Sequence, residues 1–263
     1  LIFCARRVVR LIVIACEILY RELCLAVARS PNTVDLVFLP KGLHDIGQEK
    51  MSTRIADAVA QVDTSRYEAI CLGYALCNNG IVGLMAPQIP LVVPRAHDCI
   101  TLFLGSHRRY LEYFNANPGA YFQTPGWIER GEDLSQHGPD SIVRKMGLLQ
   151  TYEEWVAKYG EENARYLQEQ LGELTRNYGK LAYIRTHTGC DDQFEAIAKQ
   201  KASQRGWKFE VLDGDLRLIQ ALVDGRWDHS EFLMIPPGGR IASSFDDHII
   251  RLEVLSGHSW SAS

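Results

Sequence analysis

Cysteine and histidine side chains are the groups in this sequence that point most directly to chemistry. His97 and Cys99 stand two positions apart, and Cys77 precedes Cys99 by 22 residues. Imidazole nitrogen and thiolate sulfur are the ligands that tetrahedral zinc sites use in proteins. The spacing therefore predicts a zinc site formed by Cys77, His97 and Cys99, with Cys16 or Cys190 as the fourth ligand.

Two other hypotheses use the same cysteines. Cys16, Cys77 and Cys99, or Cys190 in place of one of them, could hold a [4Fe–4S] cluster with one open iron. Zinc is favoured because a mixed nitrogen and sulfur ligand set suits it. Without any metal, Cys16 at the start of a predicted helix would be the nucleophile, since a helix N-terminus favours the thiolate. Cys77 and Cys190 facing one another across a cleft would instead exchange protons, as in a racemase.

Polar residues near these cysteines are expected to bind substrate and cofactor. The Arg95 and Arg185 guanidinium groups have the fork geometry that binds a carboxylate or phosphate, which predicts a small anionic substrate. Internal ion pairs with nearby aspartates are the equally weighted alternative. The other candidates are Asp98, which would orient the His97 imidazole, His187 as a catalytic group, and Asn78, Asn79 and Gly80 as cofactor contacts.

Apolar runs of strand length alternate with helical patterns along the chain. Such alternation predicts an α/β fold with mainly parallel sheets and helices on both faces. Because the carboxyl ends of parallel strands meet at one sheet edge, we expect the polar residues after the strands to converge there. The predicted strands are residues 8–15, 34–39, 69–74, 90–94, 181–185, 209–212 and 232–235, and the predicted helices are 17–28, 51–62, 193–204 and 216–224.

We expect these elements to form two lobes. Residues 1–150 would be an N-terminal α/β lobe, 151–179 a helical bridge and 180–263 a C-terminal α/β lobe. Within the first lobe, the segment 115–138 is rich in proline, glycine and aromatic residues, which is typical of a lid or binding loop. Residues 246–255 are predicted to form a final helix.

Composition excludes several functional classes. The 28 Lys and Arg residues against 32 Asp and Glu give a net charge of -4, which lacks the basic field of a nucleic-acid-binding protein. The apolar stretch 11–16 is shorter than the roughly 20 residues that span a bilayer. We therefore expect no membrane insertion and a cytoplasmic location. Seven cysteines, an odd number, favour free thiols or metal binding over disulfides.

Three motifs resemble those of a bacterial and archaeal protein family of unknown function. Residues 73–80 read GYALCNNG, 94–99 read PRAHDC and 124–127 read TPGW. The family pattern begins Gly-Tyr-Gly-Leu-Cys, so Ala75 replaces its second glycine here. The resemblance extends from about residue 8 to residue 239. It implies no catalytic residues, but members are often encoded beside corrinoid-dependent methyltransferases of methylamine and betaine metabolism.

This resemblance implies methyl or other one-carbon transfer, with a corrinoid as a candidate cofactor and a corrinoid protein or methyltransferase as a candidate partner. His97, Cys99 and Cys190 are also similar, in type and order, to the ligands of zinc enzymes that transfer a methyl group to a thiol. Those enzymes are eight-stranded barrels, for which this chain has too few predicted strands.

Together these observations predict a cytoplasmic, metal-dependent α/β enzyme of small-molecule metabolism. The metal would act as a Lewis acid or hold a substrate thiolate. Arg95 and Arg185 would anchor an anionic substrate, and the loop near Trp127 would close over it. The alternative is a non-catalytic accessory protein that delivers a metal or corrinoid to a partner. A homodimer through an apolar helix face is also left open.

Overall fold

The computed structural model describes residues 7–45, 47–77, 79–130, 156–157, 160–166 and 178–253. Its strands are β1 (Arg10–Cys16), β2 (Thr33–Leu39), β3 (Ala69–Gly73), β4 (Leu91–Pro94), β5 (Ala120–Gln123), β6 (Lys180–Arg185), β7 (Lys208–Asp213), β8 (Phe232–Ile235), β9 (Arg240–Ser243) and β10 (Ile250–Glu253). Its helices are α1 (Tyr20–Arg29), α2 (Gln48–Ala60), α3 (Cys99–Leu104), α4 (His107–Ala116), α5 (Pro125–Glu129), α6 (Asp191–Gln204) and α7 (Arg217–Asp224), with 3₁₀ turns at Glu17–Leu19 and Lys41–Asp45.

The larger sheet has five strands in the order β2-β1-β3-β4-β8, in which β1 to β4 are parallel and β8 is antiparallel to β4. Successive side chains of β1 enter different cores because they point to opposite faces of the sheet. Leu11 and Val13 share one core with α1 and α7, whereas Ile12 and Ile14 share the other with α2. Burial on both faces explains why the β1 sequence is continuously apolar.

A second sheet contains β5, β6 and β7 in parallel. Leu181 and Tyr183 of β6 pack against Phe194 and Ala198 of α6, which covers one face. The C-terminal strands β9 and β10 form a separate antiparallel pair.

The α/β fold with mainly parallel sheets is confirmed, and each predicted strand is present. The sheets draw strands from both sides of the predicted bridge. β5 lies in the predicted N-terminal lobe but pairs with β6, and β8 lies in the predicted C-terminal lobe but pairs with β4. Most of the bridge lies outside the described residues, but residues 161–166 are helical.

Two local predictions are corrected. Within the predicted loop 115–138, the described residues form the end of α4, then β5 and α5, and residues 131–138 lie outside the described part. The predicted final helix at 246–255 is wrong because residues 250–253 form β10. Ile250 and Leu252 pack into the core on alternate positions, so the apolar period at this point is that of a strand.

Candidate functional site

Three cysteines from three different strand ends line one small cavity. Cys16 is the last residue of β1, Cys77 follows β3, and Cys99 follows β4 as the first residue of α3. The cavity has a volume of about 30 Å³. It lies beside the boundary between β1 and β3, where the strand order reverses and where open α/β sheets bind their ligands. The remaining wall consists of Ile18, Pro40, Lys41, Leu43, Met51, Gly73, Tyr74, Ala75 and Trp127.

Backbone pairing beyond the ends of β3 and β4 brings Cys77 beside Cys99. The Leu76 N–H donates to the Ala96 carbonyl at 2.8 Å, and the Cys77 N–H donates to the His97 carbonyl at 2.9 Å. Cys77 has a φ of 42°, in the left-handed region that residues other than glycine rarely adopt. Such a conformation costs on the order of 1 kcal/mol or more and recurs at ligand-binding sites.

Asp98 fixes the start of the helix that carries Cys99. Its Oδ1 accepts a hydrogen bond from the Ile100 N–H at 3.0 Å, which caps α3, and its Oδ2 accepts one from the Tyr110 hydroxyl at 2.9 Å. A capping side chain of this kind typically stabilises a protein by about 1 kcal/mol. Asp98 thus holds the backbone of the thiol site in place.

The Thr-Pro-Gly-Trp motif forms a wall of the cavity. The Thr124 hydroxyl caps α5 by accepting from the Trp127 N–H at 3.4 Å. Gly126 lies so close to the 3₁₀ turn after β1 that an added Cβ would stand 1.8 Å from the Ile18 carbonyl oxygen. This approach brings the Trp127 side chain to the Cys99 thiol, with which it forms a hydrogen bond.

A buried cation completes this wall. Lys41 is 7% exposed, and its Nζ lies 5.0 Å from the Trp127 ring centroid and donates to the Trp127 carbonyl at 3.5 Å. Its positive charge also favours the ionised form of the neighbouring Cys16. The cavity wall therefore contains a lysine in addition to the three cysteines.

Burial keeps these thiols protonated at neutral pH. It raises the pKa of Cys16 to about 12 and that of Cys77 to about 11, and it raises the pKa of Cys99 well above its usual range. Proximity of the thiols to one another contributes in the same direction for Cys16 and Cys99. Because the thiolate is the nucleophile, a metal-free mechanism in this cavity would require these thiols to lose their protons despite their burial.

Tyr74 is a site residue that the sequence reasoning missed. It is 3% exposed, and its buried hydroxyl has no hydrogen-bond partner among the described residues. Burial is the main reason why the pKa of this hydroxyl is raised, and the nearby thiols of Cys16 and Cys77 raise it further. Leaving a buried hydroxyl unpaired costs about 1–3 kcal/mol. The available signal was its place at the end of a strand, three residues before Cys77.

Two predicted metal ligands do not line this cavity. The His97 side chain is exposed, and its ring centroid lies 5.3 Å from that of His107. Cys190 is exposed at the start of α6, in a shallow groove that Arg185 and His187 also line. Of the two candidates for the remaining ligand, Cys16 is the one that shares the cavity with Cys77 and Cys99.

The two arginines predicted to anchor substrate have partners within the protein. Arg95 donates hydrogen bonds to three backbone carbonyls, which fasten the end of β4 to the C-terminal segment; the acceptors are His229 at 2.9 Å, His248 at 3.0 Å and Ile250. Arg185 forms an ion pair with Glu195 and a longer one, at 4.0 Å, with Asp192. Internal pairing was the alternative for Arg185, and the structure shows it.

The remaining predicted site residues are His187, which follows β6, and Asn78, Asn79 and Gly80, which follow β3. His187 Nε2 is 3.4 Å from Asp213 Oδ1 at the end of β7. The Gly80 N–H donates to the carbonyls of Leu76 and Cys77, and an added Cβ would meet the Met51 sulfur at 2.4 Å, so this glycine serves close packing. Asn79 is exposed, and Asn78 lies outside the described residues.

Glu22 is a second buried polar residue that the sequence reasoning missed. It lies in α1 and is 0% exposed; its Oε1 accepts a hydrogen bond from the Thr186 hydroxyl at 2.7 Å. Its Oε2 is buried without a hydrogen-bond partner among the described residues. Burial raises the pKa of this carboxyl group to about 7. Glu22 therefore links the first sheet's helix layer to the end of β6.

The three thiols of this cavity are suitable metal ligands by their chemistry, but their arrangement is not that of a metal site. Three thiols are a ligand set for soft metals. Among the described residues, however, no three His, Cys, Asp or Glu side chains already stand in an arrangement that could hold a metal ion. Metal binding would therefore require the three cysteine side chains to rearrange.

The fold and the cavity define an α/β protein with a cysteine-lined site at the switch point of its main sheet. The chain belongs to the family described as protein of unknown function DUF1638, whose model matches residues 38–223. This range contains all three sequence motifs and two of the cavity cysteines, Cys77 and Cys99. Comparisons with curated proteins and with solved structures gave no significant match. In the described part of the chain, none of the helices has the length and apolar character needed to cross a bilayer.

Proposed function

We propose that this protein is a metal-dependent enzyme of small-molecule metabolism whose metal is bound by Cys16, Cys77 and Cys99. The observation that carries the proposal is the presence of these three cysteines, from three separate strand ends, in the wall of one small cavity at the switch point. Ligand sites of open α/β sheets are found at this position.

Ordinary packing does not account for the cluster. A single buried cysteine often behaves as a small apolar side chain, as does Cys71, which is fully buried inside β3. The cavity wall instead contains three cysteines together with Lys41 and Tyr74, and the buried Tyr74 hydroxyl has no hydrogen-bond partner in the described part of the chain. A divalent metal would deprotonate the thiols. Together with three thiolates it would carry one net negative charge, which Lys41 would offset.

The size of the cavity makes zinc the preferred metal. His97 does not line the cavity, so the nitrogen ligand that favoured zinc is not supplied by that residue. A cavity of about 30 Å³ is a few times the roughly 10–15 Å³ that holds one water molecule. That size favours a single ion over a [4Fe–4S] cluster, which stays the second hypothesis.

A bound zinc ion would polarise a substrate as a Lewis acid or keep a substrate thiolate in its nucleophilic form. The chain's own residues would exclude water, with Trp127 covering the Cys99 thiol and Lys41 balancing charge. The resemblance to proteins encoded beside corrinoid-dependent methyltransferases supports methyl or one-carbon transfer as the most specific version. Free thiols at the centre favour a reducing compartment such as the cytoplasm.

A carrier that delivers a metal or corrinoid to a partner would be expected to expose its ligands. Here Cys16, Cys77 and Cys99 lie in a cavity with Trp127 in its wall, and the exposed Cys190 does not line it. The placement of these half-buried cysteines in a small cavity favours a resident metal over a transferred one.

Metal analysis of anaerobically purified protein tests the proposal. We expect about one zinc per chain, lost in Cys99→Ser and retained in Cys190→Ser, the matched control at an exposed cysteine. Iron with acid-labile sulfide would identify the cluster instead. Protein that contains no metal, and takes up neither zinc nor iron on anaerobic reconstitution, would contradict the proposal.

A further inference from the structure

We propose that Glu22 is a pH-sensitive switch that holds the loop 186–190 against α1 while its carboxyl group is protonated and releases the loop when that group ionises. The loop follows β6 of the second sheet, whereas α1 packs on the first sheet. Glu22 does not line the cysteine cavity, so this inference is independent of the proposed metal site.

The first argument is the contact between the two layers. Glu22 is 0% exposed, and its Oε1 accepts a hydrogen bond from the Thr186 hydroxyl at 2.7 Å. The Thr188 hydroxyl lies 3.0 Å from that of Thr186. Because a hydroxyl has a single proton to donate, and Thr186 donates its own to Glu22, the Thr188 hydroxyl donates to Thr186. Two hydroxyl groups of the loop are therefore arranged by the Glu22 carboxyl group.

The second argument is that a negative charge on Glu22 would be poorly compensated. Its Oε2 is buried without a hydrogen-bond partner among the described residues. Asp191 at the start of α6 disfavours ionisation of this carboxyl group, whereas Arg21 of α1 favours it. Arg21 already donates two hydrogen bonds to Glu129, at 2.7 and 2.8 Å, so its charge is offset. An ionised Glu22 in the closed loop is thus a buried charge with incomplete pairing, which is strongly unfavourable.

The third argument is the conformation of the loop. His187 and Cys190 have φ angles of 56° and 60°, in the left-handed region that residues other than glycine rarely adopt. Both side chains are exposed, and that of His187 lies 3.4 Å from Asp213. A loop in this conformation depends on its contacts with the rest of the protein. Loss of the buried contact between Thr186 and Glu22 would therefore favour opening.

The direction of the switch follows from proton linkage. Burial raises the pKa of the Glu22 carboxyl group to about 7, whereas contact with water in the open loop would return it toward 4.5. The closed loop therefore binds this proton more tightly than the open loop does, and opening becomes more favourable as pH rises from about 4.5 to 7. Opening would change the shape of the groove that Arg185, His187 and Cys190 line.

Amide hydrogen exchange, measured by NMR on the full chain between pH 5 and pH 8, tests this switch. The reporter is the Thr186 N–H, which donates to Asp191 Oδ1 at 3.2 Å. We expect its protection factor, corrected for the intrinsic exchange rate at each pH, to fall on the order of 50-fold over this range in the wild type. Most of this fall should be absent in Glu22→Gln. Glu112→Gln replaces an exposed carboxyl group of α4 and is the matched control, which should follow the wild type.

Three results would overturn the inference. The first is a wild-type protection factor that does not change with pH. The second is a fall that persists in Glu22→Gln, which would assign it to another titrating group such as His187. The third is an equal fall at the Ile14 amide in β1, which would show that the whole chain opens and not the loop. The comparison between Thr186 and Ile14 uses the wild type alone, so it decides the question even if Glu22→Gln does not fold.

Discussion

Replacement of Gly126 by alanine should loosen the contact that brings Trp127 to the thiol cavity. An added Cβ would stand 1.8 Å from the Ile18 carbonyl oxygen and 2.7 Å from its carbon, whereas real Cβ contacts are essentially never shorter than 3.0 Å. Backbone atoms lie on both sides of this contact, so no side-chain rotation relieves it. α5 must therefore move away from the 3₁₀ turn at Glu17–Leu19.

The cost follows from overpacking at this one contact. Forcing an extra methyl group into a packed site destabilises a protein by about 1–3 kcal/mol. For a chain of this size, 1 kcal/mol lowers the melting temperature by about 2–4 °C. We expect Gly126→Ala to melt roughly 3–10 °C below the wild type. Because Trp127 moves with α5, the Cys99 thiol should also react faster with a disulfide reagent.

Circular dichroism melts and thiol-reaction kinetics of the metal-free protein measure both effects. Gly179→Ala is the matched control, since an added Cβ there meets no atom within 4 Å and the backbone does not require glycine. That variant should stay within about 0.5 kcal/mol of the wild type. A Gly126→Ala protein with unchanged melting temperature and unchanged thiol kinetics would refute the argument for this wall of the cavity.

Two further predictions concern the polar side chains of Glu22 and Arg95. The folded-state pKa of Glu22 is about 7 against 4.5 for the free side chain, so its contribution to stability is full below 4.5 and is lost as pH rises toward 7. The free energy of unfolding of Glu22→Gln should therefore rise by on the order of 3 kcal/mol relative to that of the wild type between about pH 4 and pH 8, as measured by urea unfolding. If the two proteins show the same change of unfolding free energy with pH, Glu22 does not have this role. Arg95→Lys should destabilise the protein by about 2–4 kcal/mol, because backbone carbonyls lose their hydrogen-bond donor. Its zinc content should stay unchanged. Loss of zinc without loss of stability would instead place Arg95 in the metal site.

The strand positions and the importance of strand-end cysteines could be read from the sequence. A β1 strand that is buried on both faces requires a continuous apolar run, and this run is visible without any structure. Cys16, Cys77 and Cys99 stand where such runs end. The rule that carboxyl ends of parallel strands share one edge was then enough to predict that Cys77 and Cys99 converge, with either Cys16 or Cys190 beside them.

Local pattern was a poor guide where residues are packed by partners distant in sequence. The segment around β5 has proline, glycine and aromatic residues typical of a loop, yet it pairs with β6 across a long stretch of chain. Residues 250–253 have a composition compatible with a helix, but pairing with β9 makes them a strand. In both cases hydrogen bonds to another strand outweigh the intrinsic preference of the segment.

The sequence by itself determined which residue types stand at the ends of the strands. A strand that is buried on both faces requires a run of apolar residues, so the end of that run marks the end of the strand. Only the tertiary structure decided that Cys16 rather than Cys190 joins Cys77 and Cys99, that the His97 side chain is exposed, and that no described residue pairs with the Tyr74 hydroxyl. These outcomes depend on strand order and on the direction of individual side chains, which arise from pairing between distant segments and leave no spacing pattern in the chain.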